Sequence, residues 1–304
     1  MTTEIELTEK KTANVQMTIP LISGLGAIAD KYDAILCDVW GVLHNGKAGY
    51  PAVAEALAKF RAKGGTVLLL SNAPRPSTQL PKMLESLGIT HGAYDDILTS
   101  GDATKTFIAT HQLGTKCYSI GPGRDNNLFD DTGVQQVSAE DAEFIVVTGP
   151  FNDEEEGPED YREPFKPLVA RGLTMVCANP DIIVERGDKH IYCAGALARL
   201  YEEMGGKVIY FGKPHGPIYD VARAKLAGLR GRAVEDARIL AVGDGIATDI
   251  KGAAGAGLDA LFITGGIAAA HVGDHAEAPD QARVIEYCEK AGLKPIGAAA
   301  RLTW

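Results

Sequence analysis

The 304-residue chain is predicted to be an α/β protein built on a doubly wound parallel sheet, with a second α/β unit inserted into it. Three observations predict this class. Short, continuously apolar runs recur, each bounded by turn residues, as expected for strands buried on both faces. Helical patterns alternate with them, as when parallel strands are joined by crossover helices. The alternation breaks in the middle, where a long segment carries strands of its own.

Taken in order, residues 1–18 are polar and read as a loose arm. Ser23–Tyr32, "SGLGAIADKY", reads as a short helix with a serine cap. The first strand is Ala34–Trp40, followed by the helical pattern "PAVAEALAKFRAKG". The second is Thr66–Ser71, followed by "STQLPKMLESLG". The insert begins after "DDILTSGDAT". It has strands in "KCYSIG", "EFIVVTG" and "LTMVCAN", and an acidic loop, "NDEEEGPED", that reads as solvated surface. The first sheet is expected to resume with Lys207–Gly212, then the helix "GPIYDVARAKLAGL" and the strands Arg238–Gly243 and Asp259–Thr264. The expected division is a Rossmann-like core over residues 1–102 and 205–304 and an inserted α/β domain over residues 103–204.

Apolar residues make up 45% of the chain and charged residues 23%, ordinary for a globular protein. Thirty Lys and Arg face forty Asp and Glu, a formal net charge of −10. That balance argues against nucleic acid as the partner, since phosphate backbones recruit positive surface. A small anionic substrate remains compatible, because a metal and one lysine can set the field of a cleft. The five cysteines lie far apart without a CxxC pair and read as buried free thiols in a reducing compartment. The N-terminal stretch lacks an apolar signal core, and no run approaches the roughly 18 apolar residues of a membrane helix. A cytoplasmic location with no membrane partner is the expectation.

The chemistry gathers at the strand ends. The first strand runs into Asp38 and the second into Ser71 and Asn72, in "LLLSNAPRP". Lys213 follows in "YFGKP", and "VGDGIATD" supplies Asp244 and Asp249. In an open parallel sheet, ligands bind beyond the carboxyl ends of the strands. Brought to one crevice, these residues supply three carboxylates, a hydroxyl, an amide and a lysine. Carboxylates so placed repel one another unless a divalent cation neutralises them, and an all-oxygen donor set favours Mg²⁺. Asp38 can then be both ligand and nucleophile, since an aspartate can form a covalent phospho-enzyme. Ser71, Asn72 with its neighbouring backbone amides, Gly41 and Lys213 would hold the phosphate oxygens, Lys213 also offsetting the crowded negative charge. Asp249 would orient metal-bound water or Lys213.

Other signals carry less. "SIGPGRDN" starts Gly-x-Gly but lacks the third glycine of a dinucleotide loop and reads as a turn. No GxxxxGK[ST] occurs, and the histidines form no zinc-binding pair. His190 and His215 read as solvated or packed. "KGAAGAGLD" reads as a helix packed closely on the sheet.

In combination, "DVWGVL", "LLLSN", "GKP" and "GDGIATD" resemble the four motifs of the haloacid dehalogenase superfamily. The insert, "ILTSGDAT", "ANPD" and "CAGALARLYEEMGGKVIYFGKP" resemble its class IIA branch, the nucleotide, sugar and pyridoxal-phosphate phosphatases. The resemblance implies a phospho-acceptor at Asp38 and Mg²⁺ held by Asp38, the Trp40 carbonyl and Asp244. It also implies that the insert is a cap closing over a small phosphorylated substrate, and that a homodimer contact runs through it. One position departs. Phosphatases of this family carry a second aspartate two residues after the nucleophile, and here that position is Trp40, whose indole trades no proton at neutral pH. Three readings follow: another group, with His44 the nearby candidate, supplies the proton; turnover is slow; or the protein binds phosphate ligands without hydrolysing them. A dehalogenase, which would attack carbon without metal, is disfavoured by the retained Asp244 and Asp249. The reading that results is a Mg²⁺-dependent phosphohydrolase of a small phosphorylated metabolite, such as a sugar phosphate or nucleotide.

Overall fold

The computed structural model describes residues 17–186 and 189–304. The arm expected over residues 1–18 lies outside this range but for its last two residues, and the His190 side chain lies outside it as well. Thirteen strands are described: β1 (Ala34–Cys37), β2 (Thr66–Ser71), β3 (Asp96–Thr99), β4 (Lys116–Ile120), β5 (Gln135–Gln136), β6 (Phe144–Val147), β7 (Thr174–Cys177), β8 (Ile183–Arg186), β9 (Lys189–Tyr192), β10 (Lys207–Tyr210), β11 (Ile239–Gly243), β12 (Asp259–Ile263) and β13 (Gly297–Ala299). Six form a parallel sheet in the order β13-β12-β11-β1-β2-β3. Five form a second parallel sheet, β10-β7-β6-β4-β5, and β8 and β9 form a hairpin.

The first sheet is apolar on both faces, as its unbroken runs require. Ile35 and Cys37 enter one core with Val53, Leu57 and Phe60 of helix α1 (Pro51–Ala62). Ala34 and Leu36, pointing the other way, enter a second core with Ile218, Tyr219 and Leu226 of a long helix, Gly216–Arg230. The second sheet repeats the pattern, with Ile145 and Val147 on one face and Phe144 and Val146 on the other. The five cysteines are free and buried.

In the first sheet the chain runs outward from β1 through β2 to β3, then restarts on β1's other side with β11, β12 and β13. The strand order therefore reverses between β1 and β11. Cys37 stands opposite both Val242 and Leu69, so Asp38, Asp244 and Ser71 all fall at the carboxyl edge beside that reversal.

Two expectations are corrected. The run Lys207–Gly212, expected in the first sheet, forms β10, which pairs with β7 of the second. A buried parallel strand reads alike whichever sheet it joins. The chain returns to the first sheet only after Tyr210, so the second sheet extends beyond the expected boundary at residue 205. The helix expected at Ser23–Tyr32 is two short 3₁₀ turns, Leu25–Ala27 and Ala29–Lys31, and Gly24 rather than Ser23 stands at the first cap. Strands β3 and β13 and the β8–β9 hairpin add to the elements expected.

Candidate active site

Asp38 leaves β1 with its N–H donated to Val242 O at 2.8 Å, which ties it to the neighbouring strand at the point of reversal. Asp244 leaves β11 beside it, and Asp249 sits in the wide helical turn Ile246–Ile250 that follows. Carboxylate oxygens of all three lie within 4.8 Å of one another, and all three residues are buried. Lys213 joins them from the far side of the chain's return. Its Nζ donates to Asp38 Oδ1 at 2.5 Å and to Asp249 Oδ1 at 2.7 Å. The other Asp249 oxygen accepts from Gly245 N at 3.0 Å, so Asp249 holds the lysine and the loop together.

The charge is unevenly balanced. Burial, then Asp249, pushes the Asp38 carboxyl well above the usual carboxylate range. The same two causes push Asp244 up to about 7. Burial alone would lower Lys213, but Asp249 and Asp38 reverse that and hold it protonated. One ammonium thus stands against three carboxylates, an arrangement that a divalent cation would complete.

Asp244 has almost no room to move. Its Oδ2 accepts from Ile267 N at 2.9 Å. A Cβ at Gly41, where φ is +83°, would lie 2.0 Å from that oxygen, and one at Gly266 would lie 1.8 Å from it. Gly41 was expected among the phosphate anchors. Its N–H is already donated to His44 O at 2.8 Å, so its part is to make space for Asp244. Ser71 Oγ accepts from Ala73 N at 3.2 Å, which leaves its O–H to donate outward. The Asn72 side chain is spent elsewhere. Its Oδ1 accepts from Lys213 N at 2.7 Å, and its Nδ2 donates to Lys213 O at 3.0 Å and to Asp181 Oδ1 at 2.8 Å. Only its backbone is left for phosphate.

Two family models match the chain. A haloacid dehalogenase-like hydrolase model matches residues 35–135, and a HAD-like hydrolase model matches residues 210–291. A solved hydrolase of the haloacid dehalogenase-like family from Brucella suis 1330 is 43% identical, with a TM-score of 0.82, and covers 93% of this chain and 100% of its own. The chain belongs to the haloacid dehalogenase-like hydrolase family. Among curated proteins, ribonucleotide monophosphatase NagD of Escherichia coli K12 is 29% identical over 238 residues, covering 77% of this chain and 88% of its own. The 5′-nucleotidase YutF of Bacillus subtilis 168 is 25% identical over 254 residues, covering 83% and 94%. These relatives belong to the class IIA branch of the family, and this hydrolase is a phosphoric monoester hydrolase of that branch.

Within the haloacid dehalogenase-like hydrolase, the loop after Asp38 folds back on itself through a Trp40–His44 bridge. The Trp40 side chain is 43% exposed, meets the His44 ring edge-on at 5.1 Å, and lies where a Cβ at Gly46 would be. His44 is 1% exposed and its Nδ1 accepts from Gly46 N at 3.0 Å. Burial lowers its pKa, so the ring is neutral and packed. Its Nε2 is buried with no hydrogen-bond partner among the described residues, which argues against the acid or base role expected of His44. His215, read as solvated or packed, stacks on Tyr210 at 4.4 Å and is half-buried. Asp181 carries no role in the sequence reading beyond closing "ANPD": β7 ends at Cys177 and Ala178, Asn179 and Pro180 intervene, so no strand-end signal marks it.

Proposed function

We propose that the protein hydrolyses small phosphorylated metabolites by way of a phospho-aspartate on Asp38. The observation that carries this reading is the meeting of Asp38, Asp244, Asp249 and Lys213, which the chain draws from widely separated positions, in one buried cluster. The donor set suits Mg²⁺: it is all oxygen, it is under-neutralised, and burial disfavours its free carboxylates. Asp38, the Trp40 carbonyl and Asp244 would hold the ion, with Asp249 behind them. When bound, the ion would neutralise the phosphoryl oxygens and the carboxylates together.

Asp38 would attack phosphorus, forming an O–P bond as the ester P–O bond breaks and the leaving group departs as an oxyanion that takes its proton from solvent water. Water would then attack the acyl phosphate, releasing inorganic phosphate and restoring the carboxylate. Lys213 would hold Asp38 in line and share the phosphoryl charge, and the Ser71 hydroxyl and the Asn72 backbone would hold the remaining oxygens. With Trp40 at the usual acid position and His44 packed away, the first step would lack a positioned proton donor, a loss of roughly 10²–10⁴-fold. This favours esters with good leaving groups. The nucleotide phosphatase relatives, NagD and YutF, support a phosphomonoester of nucleotide or sugar size. The second sheet with its hairpin would be the cap. Ile182, Ile183 and Tyr192, exposed together on the hairpin, support a homodimer contact there.

The missing acid also favours a second reading, a catalytically weak relative whose main role is to bind a phosphate ligand. A panel of phosphomonoesters with Mg²⁺, run beside Asp38→Asn, separates the two. Turnover that disappears in the variant supports hydrolysis. Binding without appreciable turnover in either protein supports the binder.

A further inference from the structure

We propose that Asp181 is a positioning residue: acting through Asn72, it sets the backbone of Lys213 and so the place of the ammonium between Asp38 and Asp249. Asp181 follows β7 of the second sheet, whereas Asn72 follows β2 of the first. The chain of contacts is direct. Asp181 Oδ1 accepts from Asn72 Nδ2 at 2.8 Å. The Asn72 amide in turn accepts from Lys213 N at 2.7 Å and donates to Lys213 O at 3.0 Å. Lys213 then reaches Asp38 and Asp249 at 2.5 and 2.7 Å. An amide that grips one residue's N–H and C=O can still tilt with it as a unit. A third bond from another element fixes its plane.

Asp181 is itself held. Its N–H donates to Asn179 Oδ1 at 3.1 Å, and its carbonyl accepts from Gly195 N at 3.1 Å at the start of the helix Ala194–Glu203. Two glycines permit the close approach. A Cβ at Gly195 would lie 2.2 Å from Pro180 O. One at Gly212, where φ is +140°, would lie 2.6 Å from Pro180 and 2.8 Å from Asn72 Oδ1. Asn72 and Lys213 are 5% and 3% exposed, so water is poorly placed to replace a lost partner. The machinery on the first sheet is therefore complete only with the second sheet's carboxylate in place.

The test combines amide hydrogen exchange at Lys213 in the metal-free protein with Mg²⁺-supported hydrolysis of p-nitrophenyl phosphate. Its kinetic half rests on the phosphohydrolase reading. Its exchange half does not, so the two can fail separately. Asp181→Ala is expected to speed exchange about tenfold or more and to lower kcat about 10–100-fold, with KM within about threefold. Asn72→Ala should do the same, and the double variant should be no worse than Asn72→Ala alone, as for residues in one chain. Asp181→Asn, whose amide oxygen can accept the same bond, should stay within about threefold of the parent in both readouts. Its fold is the control should Asp181→Ala not fold. The proposal is overturned by parental exchange and kcat in Asp181→Ala, or by losses that multiply in the double variant. It is also overturned if Asp181→Asn is as slow as Asp181→Ala, which would make the carboxyl's proton, not its hydrogen bond, the contribution.

Discussion

Asp244 is wedged between two glycine backbones, holds one backbone N–H, and carries a burial penalty that lifts its carboxyl to about 7. A side chain so placed is stabilised by a cation more than by any partner it has. Mg²⁺ added at about a hundred times its Kd should raise the unfolding free energy by about 2.7 kcal/mol. A thermal melt should show that rise in the parent and little of it in Asp244→Asn. Equal shifts in both proteins would place the ion elsewhere. Trp40 makes the opposite point. It touches His44 and covers Gly46, and neither contact carries a proton to a leaving group. Trp40→Asp should raise kcat on an alkyl phosphate by roughly 10²-fold, while p-nitrophenyl phosphate, which needs little protonation, gains far less. No difference between the two substrates would mean that the acid is not what limits turnover.

Strand ends do opposite work at the two edges of the first sheet. At the carboxyl edge they carry the site. At the amino edge, Asp33 enters β1 and fastens two segments: Arg238 Nη2 donates to its Oδ1 at 2.9 Å, and Arg230 donates to its carbonyl at 2.9 Å. Arg238's hydrogen bond, with Coulombic help from Arg230 and Arg232, holds the Asp33 carboxyl below its usual range. A carboxyl lowered on folding contributes stability that is complete above its unfolded pKa of about 4 and is lost as pH falls through the folded value. Asp33→Asn should therefore cost about 1 kcal/mol in urea melts at pH 7, and the cost should shrink progressively as pH is taken below about 4. A constant difference across that range would remove the ion pair from the account. The same elements show what could be read from sequence. Asp38, Ser71 and Asp244 each end or follow an apolar run of the first sheet, and parallel pairing necessarily collects such ends at one edge, with Asp249 in the turn that follows Asp244; Lys213 follows β10 of the second sheet and is brought to that edge by the returning loop instead. Strand β10 could not be placed, because its apolar run suits either sheet. The roles of Gly41 and Asn72 could not be read either, since each depends on a backbone partner, His44 or Lys213, that only the folded loop supplies.

Across the whole molecule, the second sheet reaches the first through Asp181 and through Asp125, whose carboxylate lies 3.5 Å from Arg75. Both core partners stand on the single loop after β2. No helix among the described residues is long and apolar enough to cross a membrane. Ile182, Ile183 and Tyr192 are exposed at the hairpin. If they form the dimer face, Tyr192→Glu should shift the mass measured by light scattering from dimer to monomer without changing the melt. A monomeric parent would remove that interface. The central claim is that Asp38 takes the phosphoryl group, and acid quenching during turnover tests it most directly. The protein would be mixed with Mg²⁺ and p-nitrophenyl phosphate, quenched, digested and read by mass spectrometry. One phosphoryl group is expected on Asp38, within Ala34–Gly46, released by hydroxylamine and absent from Asp38→Asn. Turnover that persists in Asp38→Asn, or a phosphoryl group carried on any other residue, would contradict it.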